Sequence, residues 1–250
     1  MKSQGLKAVA IGLPGAVAAI ALVLHGPIPQ DPKYFQFADE RVFLGIPRFG
    51  DVVSNAAFLI VGTIGLGFLL LRRKGSLNTA SERWPYAAVF AGTILTGVGS
   101  TWFHLAPDSD RLFWDRLPMA PVFLSLFTIV LSERIGPQVG IRLWIPLMIL
   151  GLGSVLYWRF LDDDLRLYAL IQFYPMGAIP LLLLFYPARY THASWFWIMF
   201  LMYGMAKGCE WLDRPIYEAL RGVSGHSLKH ALAALSVLCP VWMLSRRRPI

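Results

Sequence analysis

Charge is in short supply in this chain. Aspartate, glutamate, lysine and arginine make up 15% of its 250 residues, against 56% hydrophobic ones, and the mean hydropathy is +0.54. Too little polar surface remains to clothe a soluble globule, and the balance is that of a polytopic membrane protein. Cysteine is nearly absent. Cys209 and Cys239 both fall inside apolar stretches at different expected depths, which excludes a disulfide framework and marks each as a small buried apolar residue. Long polar stretches are missing too, so no connection can form a separate soluble domain, and there is no internal repeat or low-complexity tract. Acidic residues number 15 against 23 basic ones, a net charge of +8. That surplus could suit nucleic acid, but it sits in short runs beside apolar segments, such as Arg72-Arg73-Lys74 and Arg246-Arg247-Arg248. There it sets topology and meets anionic headgroups, so the expected partners are membrane lipids and not nucleic acid. No His-Glu-x-x-His motif occurs, which argues against an intramembrane zinc protease.

What the chain does have is apolar runs of spanning length, eight of them. They cover Leu6 to Leu24, Val52 to Leu71, Trp84 to Ala106, Asp115 to Arg134, Ile141 to Phe160, Leu165 to Tyr186, Ser194 to Leu212 and Gly225 to Leu244. Each is near the roughly 20 residues needed to cross hydrocarbon. The first, behind Lys2 and Lys7, has the pattern of a signal peptide, but ALVLHGP after it offers no small-x-small cleavage site. Residues 1–29 are therefore read as an uncleaved transmembrane helix or signal anchor. Residues 30–250 are read as a seven-helix domain. The fold class is all-α, a membrane bundle of seven helices plus one. Gln30 to Asp51, rich in aromatics and charges, is expected to lie on the membrane surface. Pro118 and Pro121 fall in the first turns of the fourth span, where proline is best tolerated. Pro175 and Pro180 predict kinks in the sixth.

Ionisable groups inside such spans are costly and usually functional. Gly99 to Pro118 (GSTWFHLAPDSDRLFWDRLP) leaves Ser100, His104 and Asp115 at the adjoining ends of two spans, and GHSLKH opens the last span with His226 and His230. With eight spans these residues, and Ser54-Asn55 at the start of the second, all come to one depth. His226 and His230, four apart, share a helix face. With His104 they make three nitrogen ligands and leave a fourth position to water, the plan of a catalytic zinc. Zinc acidifies water to a pKa of roughly 7. Asp115 could then accept the proton, and Ser100 could hydrogen-bond a carbonyl as charge develops on it. Singly, each residue has a plainer reading: packing histidines, a serine bonded to its own helix, an aspartate serving as N-cap. Lys207 and Glu210 read as an ion pair along one helix, Asp213 and Arg214 as the rim of that helix, and Lys229 as a snorkelling side chain.

Ser100-x-x-x-His104, Asp115 eleven residues on, and a late His226-x-x-x-His230 together resemble the alkaline ceramidase family. That family belongs to a wider superfamily of seven-helix membrane hydrolases that includes the progestin and adiponectin receptors. The resemblance covers about residues 30 to 245, and FADERVFLGIPRFGDVVSN is similar to the family's entry into its first core helix. It implies a zinc-dependent amidase that cleaves ceramide to a sphingoid base and a fatty acid. His104, His226 and His230 would be the metal ligands, Asp115 would handle the water proton, and Ser100 would stabilise the oxyanion. Animal members carry an acidic calcium-binding cluster before the first core helix. Here only Asp39 and Glu40 stand there, and Arg48 occupies a carboxylate's place, which argues against calcium. Lys229 replaces the aromatic expected beside the last histidine. The extra first span and compact loops look bacterial, which makes another N-acyl lipid an alternative substrate. Two other functions compete: a seven-helix lipid receptor or sensor that retains the site, and a haem protein using His104 with His226 or His230 as axial ligands. Nothing in the sequence sets the oligomeric state.

Loop charges give the expected orientation. The side holding both termini carries twelve lysines and arginines and the opposite side nine spread over longer sequence, so the termini are expected in the cytoplasm of an inner-membrane protein, with the metal site toward the outer face. A reporter enzyme that is active only outside the membrane, fused after Arg248, should be silent. Strong reporter activity would invert this topology.

Overall fold

The computed structural model describes residues 2–71 and 82–250. Arg72, Arg73 and Lys74, which carry part of the charge asymmetry, lie outside the described residues. The chain is an all-α bundle with one small hairpin. Its long helices are α1 (Lys2–His25), α2 and α3 (Phe49–Ser54 and Ala56–Leu71), α4 (Arg83–Leu105), α5 (Ser109–Arg134), α6 (Pro137–Leu156), α7 (Arg166–Phe185) and α8 (Trp195–Trp211). A short α9 (Asp213–Leu220) precedes α10 (Gly225–Ser236) and α11 (Leu238–Arg246). Five helical stretches are long and apolar enough to cross a membrane: Phe49–Leu71, Ser109–Arg134, Pro137–Leu161, Arg166–Phe185 and Gly225–Arg246.

Their outward faces are what lipid would demand. Val9, Leu13, Val17, Ile20 and Leu24 run exposed down α1 at helical spacing, and Ile145, Ile149, Leu152 and Leu156 do so on α6. Water would penalise such stripes, whereas hydrocarbon is indifferent to them. The packing order runs α1, α7, α5, α4, α3, α10, α8, with α6 beside α5 and α7, and α11 beside α8 and α3. On the open side of this arc α8 reaches α5 and α7 through Tyr203, whose ring meets Phe123 and whose hydroxyl pairs with Gln172.

The span made by α2 and α3 is broken near its start. Between α2 and α3, Asn55 turns its amide back onto the Asp51 carbonyl at 2.8 Å and competes with the regular ladder. Helix α5 begins six residues earlier than its apolar run suggested, because Asp108 caps it and accepts from the Arg111 N–H at 2.7 Å. Two expectations change with it. Asp115 is not an N-cap but stands inside the helix, and Pro118 and Pro121 lie well past the first turn. Pro118 has no N–H to give the Trp114 carbonyl. That carbonyl instead faces Gly99 of α4, so closely that a Cβ there would collide with it. The proline and the glycine together let α4 and α5 touch beside Ser100 and Asp115.

The segment from Gln30 to Asp51 does not simply lie on a surface. It makes a 3-10 turn (Pro32–Phe35) and a hairpin pairing Val42–Phe43 with Ile46–Pro47 through Leu44-Gly45, both at positive φ. Between these, Phe37, Ala38 and Asp39 are buried against the bundle. Arg116 is also buried, its guanidinium set among the rings of Trp158 at 4.6 Å, Tyr34 at 5.0 Å and Tyr168 at 5.2 Å. That cage ties this segment, the π-turn after α6 and α7 onto α5. At the opposite end Arg247 is no headgroup contact. It is buried in an ion pair with Glu133, which also accepts from the Tyr86 hydroxyl at 2.6 Å. Helix α1 is held by α7, and Ile28 and Leu165 bond each other's region through the Ile28 carbonyl and the Asp164 carboxylate.

Candidate metal centre

Three of the chain's five histidines meet in its interior. His104 comes from the last turn of α4, and His226 and His230 from the first two turns of α10. All three are buried, and ligand nitrogens from the three rings lie within 4.8 Å of one another. His104 Nε2 and His226 Nε2 are 3.1 Å apart, close to the about 3.3 Å edge of a tetrahedron with metal–nitrogen bonds of 2.0–2.1 Å.

Hydrogen bonds around the rings fix how they present these nitrogens. Ser54 Oγ, at the end of α2, donates to the Asp51 carbonyl at 3.1 Å and lies 2.8 Å from His230 Nδ1. With its own proton spent, Ser54 accepts from Nδ1–H, which leaves the lone pair on His230 Nε2. That atom is buried and has no hydrogen-bond partner; His104 Nδ1 is also unpartnered, but it is the nitrogen of that ring other than the Nε2 that meets His226. Buried nitrogens without partners are costly unless something binds them. The donor set of three imidazoles suits zinc better than a hard cation. The residues fit a metal.

The scaffold for this cluster is polar and largely invisible in the sequence pattern. Ser224 caps α10 by accepting from Ser227 N–H at 2.8 Å, and both serine hydroxyls donate to Asp51 Oδ1, at 2.5 and 2.8 Å. Asp51 on α2 thereby fastens the start of α10. Asp213 was expected on the rim, yet it grips the His226 N–H at 2.8 Å with one oxygen and the Ala38 N–H at 2.9 Å with the other. Gly225 permits this, since a Cβ there would run into the start of α9. Above the histidines sits the Phe37 ring, 4.6 Å from His104 and 4.8 Å from His226. Arg48 does not stand near a carboxylate. Its guanidinium caps α4, donating to the carbonyls of His104 at 3.2 Å and Leu105 at 3.4 Å.

Ser100 and Asp115 are brought to the same place, both nearly inaccessible to solvent. With His230 they line a cavity of about 80 Å³ that continues between Met119, Val122, Leu126, Ala233 and Val237. One end is polar and the rest apolar. Lys229 does not snorkel outward. Its ammonium turns in, 2.8 Å from Glu210 and 3.3 Å from His226 Nε2. Lys207 pairs with Glu210 as its spacing suggested, at 2.5 Å.

The two carboxylates considered for calcium are not arranged for it. Asp39 is engaged twice over by Arg41, at 2.8 and 2.9 Å, and by the Gly50 N–H at 2.8 Å. Burial works against ionisation of Asp39, but the guanidinium and backbone N–H groups outweigh it and hold its pKa below the usual carboxylate range. Glu40 is exposed and only loosely near Arg214, at 3.9 Å. Both free cysteines are unpaired as expected.

Compared with protein-family models and with curated proteins, the chain matches none.

His230→Ala should remove a ligand, so elemental analysis of the purified variant should show most of the metal lost, against about one ion per chain in wild type. Full occupancy in the variant would exclude His230. Ser54→Ala should leave the ligands in place but free the His230 tautomer, weakening metal affinity roughly 10–100-fold in a chelator competition. Unchanged affinity would make Ser54 a packing residue only.

Proposed function

We propose that this protein is a zinc-dependent amidase of the inner membrane, related to the alkaline ceramidases, that releases a free fatty acid from ceramide or a related N-acyl lipid. One observation carries the reading. Three buried imidazoles converge with His230 Nε2 unpartnered, beside a cavity that adds a serine, a carboxylate and an apolar run. In this reading α1 is the extra helix, and α2–α3 through α10–α11 form the seven-helix core. The termini are cytoplasmic and the metal site faces outward.

Zinc held by His104, His226 and His230 would supply Lewis acidity and make hydroxide available near neutral pH. The chain's own residues do the rest. The apolar part of the cavity takes the acyl chain and leaves the amide carbonyl at the polar end. Asp115 accepts the proton of the water that adds to the carbonyl carbon. It returns that proton to the amide nitrogen as the carbon–nitrogen bond breaks, giving amine and carboxylic acid. The Ser100 hydroxyl donates to the oxygen on which charge develops. A haem reading fares worse, because imidazole nitrogens 3.1 Å apart leave no room for a macrocycle between them.

Asp115→Asn keeps the shape but removes the base. Hydrolysis of an N-acyl lipid should fall by roughly 10²–10⁴-fold, with metal content close to wild type on the same preparation. Wild-type turnover would remove Asp115 from the mechanism. Loss of both activity and metal would make it a ligand instead.

A further inference from the structure

Lys207, Glu210 and Lys229 belong to no part of the proposed chemistry, yet they are among the costliest groups in the bundle. Two ammonium groups and one carboxylate sit between helices where charge must be paired. The pairing is uneven. Lys207 holds one oxygen of Glu210 at 2.5 Å and Lys229 the other at 2.8 Å, so two cations share a single anion. Both lysines line the cavity, at its polar end with Asp115 and His230.

An ammonium has three protons and no lone pair. Lys229 places one on Glu210 and directs another to the Nε2 lone pair of His226 at 3.3 Å. A metal needs that same lone pair. When His226 gives it up, Lys229 keeps only Glu210, and its freed N–H groups face the cavity next to those of Lys207. A loaded metal also adds positive charge at this point. Among the described residues that line the cavity, Asp115 is the carboxylate. Two lysines therefore face two carboxylates, Asp115 and Glu210, and the charge of a loaded metal is the surplus at the headgroup end, beside ammonium donors left unfilled.

We propose that the physiological substrate carries an anionic group, a carboxylate, phosphate or sulfonate, on the amine side of its amide bond, and that Lys207 and Lys229 bind it together. This rests on the amidase reading for the position of the amide, but not for the existence of the anion site. It favours N-acyl amino acids or acidic N-acyl lipids over neutral ceramide. A charge-assisted bond from each lysine makes the discrimination large.

The test uses the full chain, purified in a non-ionic detergent and loaded with zinc. N-palmitoylglycine and N-palmitoylethanolamine, alike except for the terminal carboxylate, are presented in the same uncharged micelles. Palmitate release is measured on wild type, and binding by thermal shift on Asp115→Asn. The expected result is a preference for the acid of roughly 10–100-fold in kcat/KM, with preferential binding of the acid. Lys207→Met should lower the acid-to-neutral ratio and Lys207→Arg should largely restore it. If Lys207→Met does not fold, the wild-type comparison decides alone. Equal or better use of the neutral amide overturns the anionic substrate and leaves the amidase standing. Hydrolysis of neither lipid, with the acid still bound preferentially, overturns the amidase reading and leaves the anion site. Palmitate competing as well as N-palmitoylglycine would assign the lysines to the released product, and the inference fails.

Discussion

The constraint on which this structure turns is the cost of a polar nitrogen inside an apolar bundle. Three imidazoles sit where water does not reach, and each must be held by a partner or be kept waiting for one. The chain meets that cost with short polar side chains on neighbouring helices and not with loops. Ser54 orients His230, and Asp51 secures Ser224 and Ser227 at the start of the same helix. Asp213 holds the backbone of His226. Remove these and α10 has little besides apolar packing to fix its rotation, and apolar packing alone discriminates poorly between rotations of a helix in lipid. The polar scaffold therefore sets where the histidines point, and the hydrophobic contacts set that the helices meet at all.

That the chain is a bundle of apolar helices was readable because it follows from composition and length. So was the histidine cluster, since His226 and His230 share a face by spacing, and an imidazole in an apolar helix is expensive enough to stand out. What could not be read was anything decided between distant segments. Asp115 looked like a cap because the apolar run begins there. The true cap, Asp108, lies in a polar stretch that reads as a loop and is recognised only through its bond to Arg111. Lys229 turned inward because Glu210, on another helix, offers a partner that sequence spacing does not reveal. Phe37 lies in an aromatic-rich segment whose pattern suits a membrane surface as well as a plug, and only its contact with His104 and His226 separates the two. Asp51 carried a faint signal, a carboxylate just ahead of an apolar span. Its partners lie more than 170 residues away.

Cations have replaced what sequence resemblance would lead one to expect from carboxylates and a bound ion. Arg41 neutralises Asp39 and also reaches the Gly222 carbonyl, tying the hairpin segment to the loop before α10. Arg48 caps α4 directly beneath His104. A guanidinium is always charged and has five donors in a rigid fork, so it can bridge backbone carbonyls and a carboxylate at once. A divalent cation placed between the same segments would need several oxygens turned toward it. Here the carbonyls and Asp39 are already committed to side chains that belong to the chain itself. The cover over the histidines is thus held together by charge that belongs to the chain itself.

That arrangement has a consequence for the site below. Asp51 and Asp213 lie close to the imidazoles, but so, before any metal arrives, do three cations, Arg48 beside His104 and Lys229 and Lys207 at the polar end of the cavity. A metal ion binding there gains from its nitrogens but is opposed by these charges, at a distance where screening by water is weak. Asp115 and Glu210 offset part of the repulsion, and Glu210 is divided between two lysines. An anion entering the cavity places negative charge beside the metal, so metal and anionic ligand should each favour the other's binding. Such mutual stabilisation is a coupling free energy and is reciprocal by necessity. It arises from the placement of fixed charges and needs no conformational change.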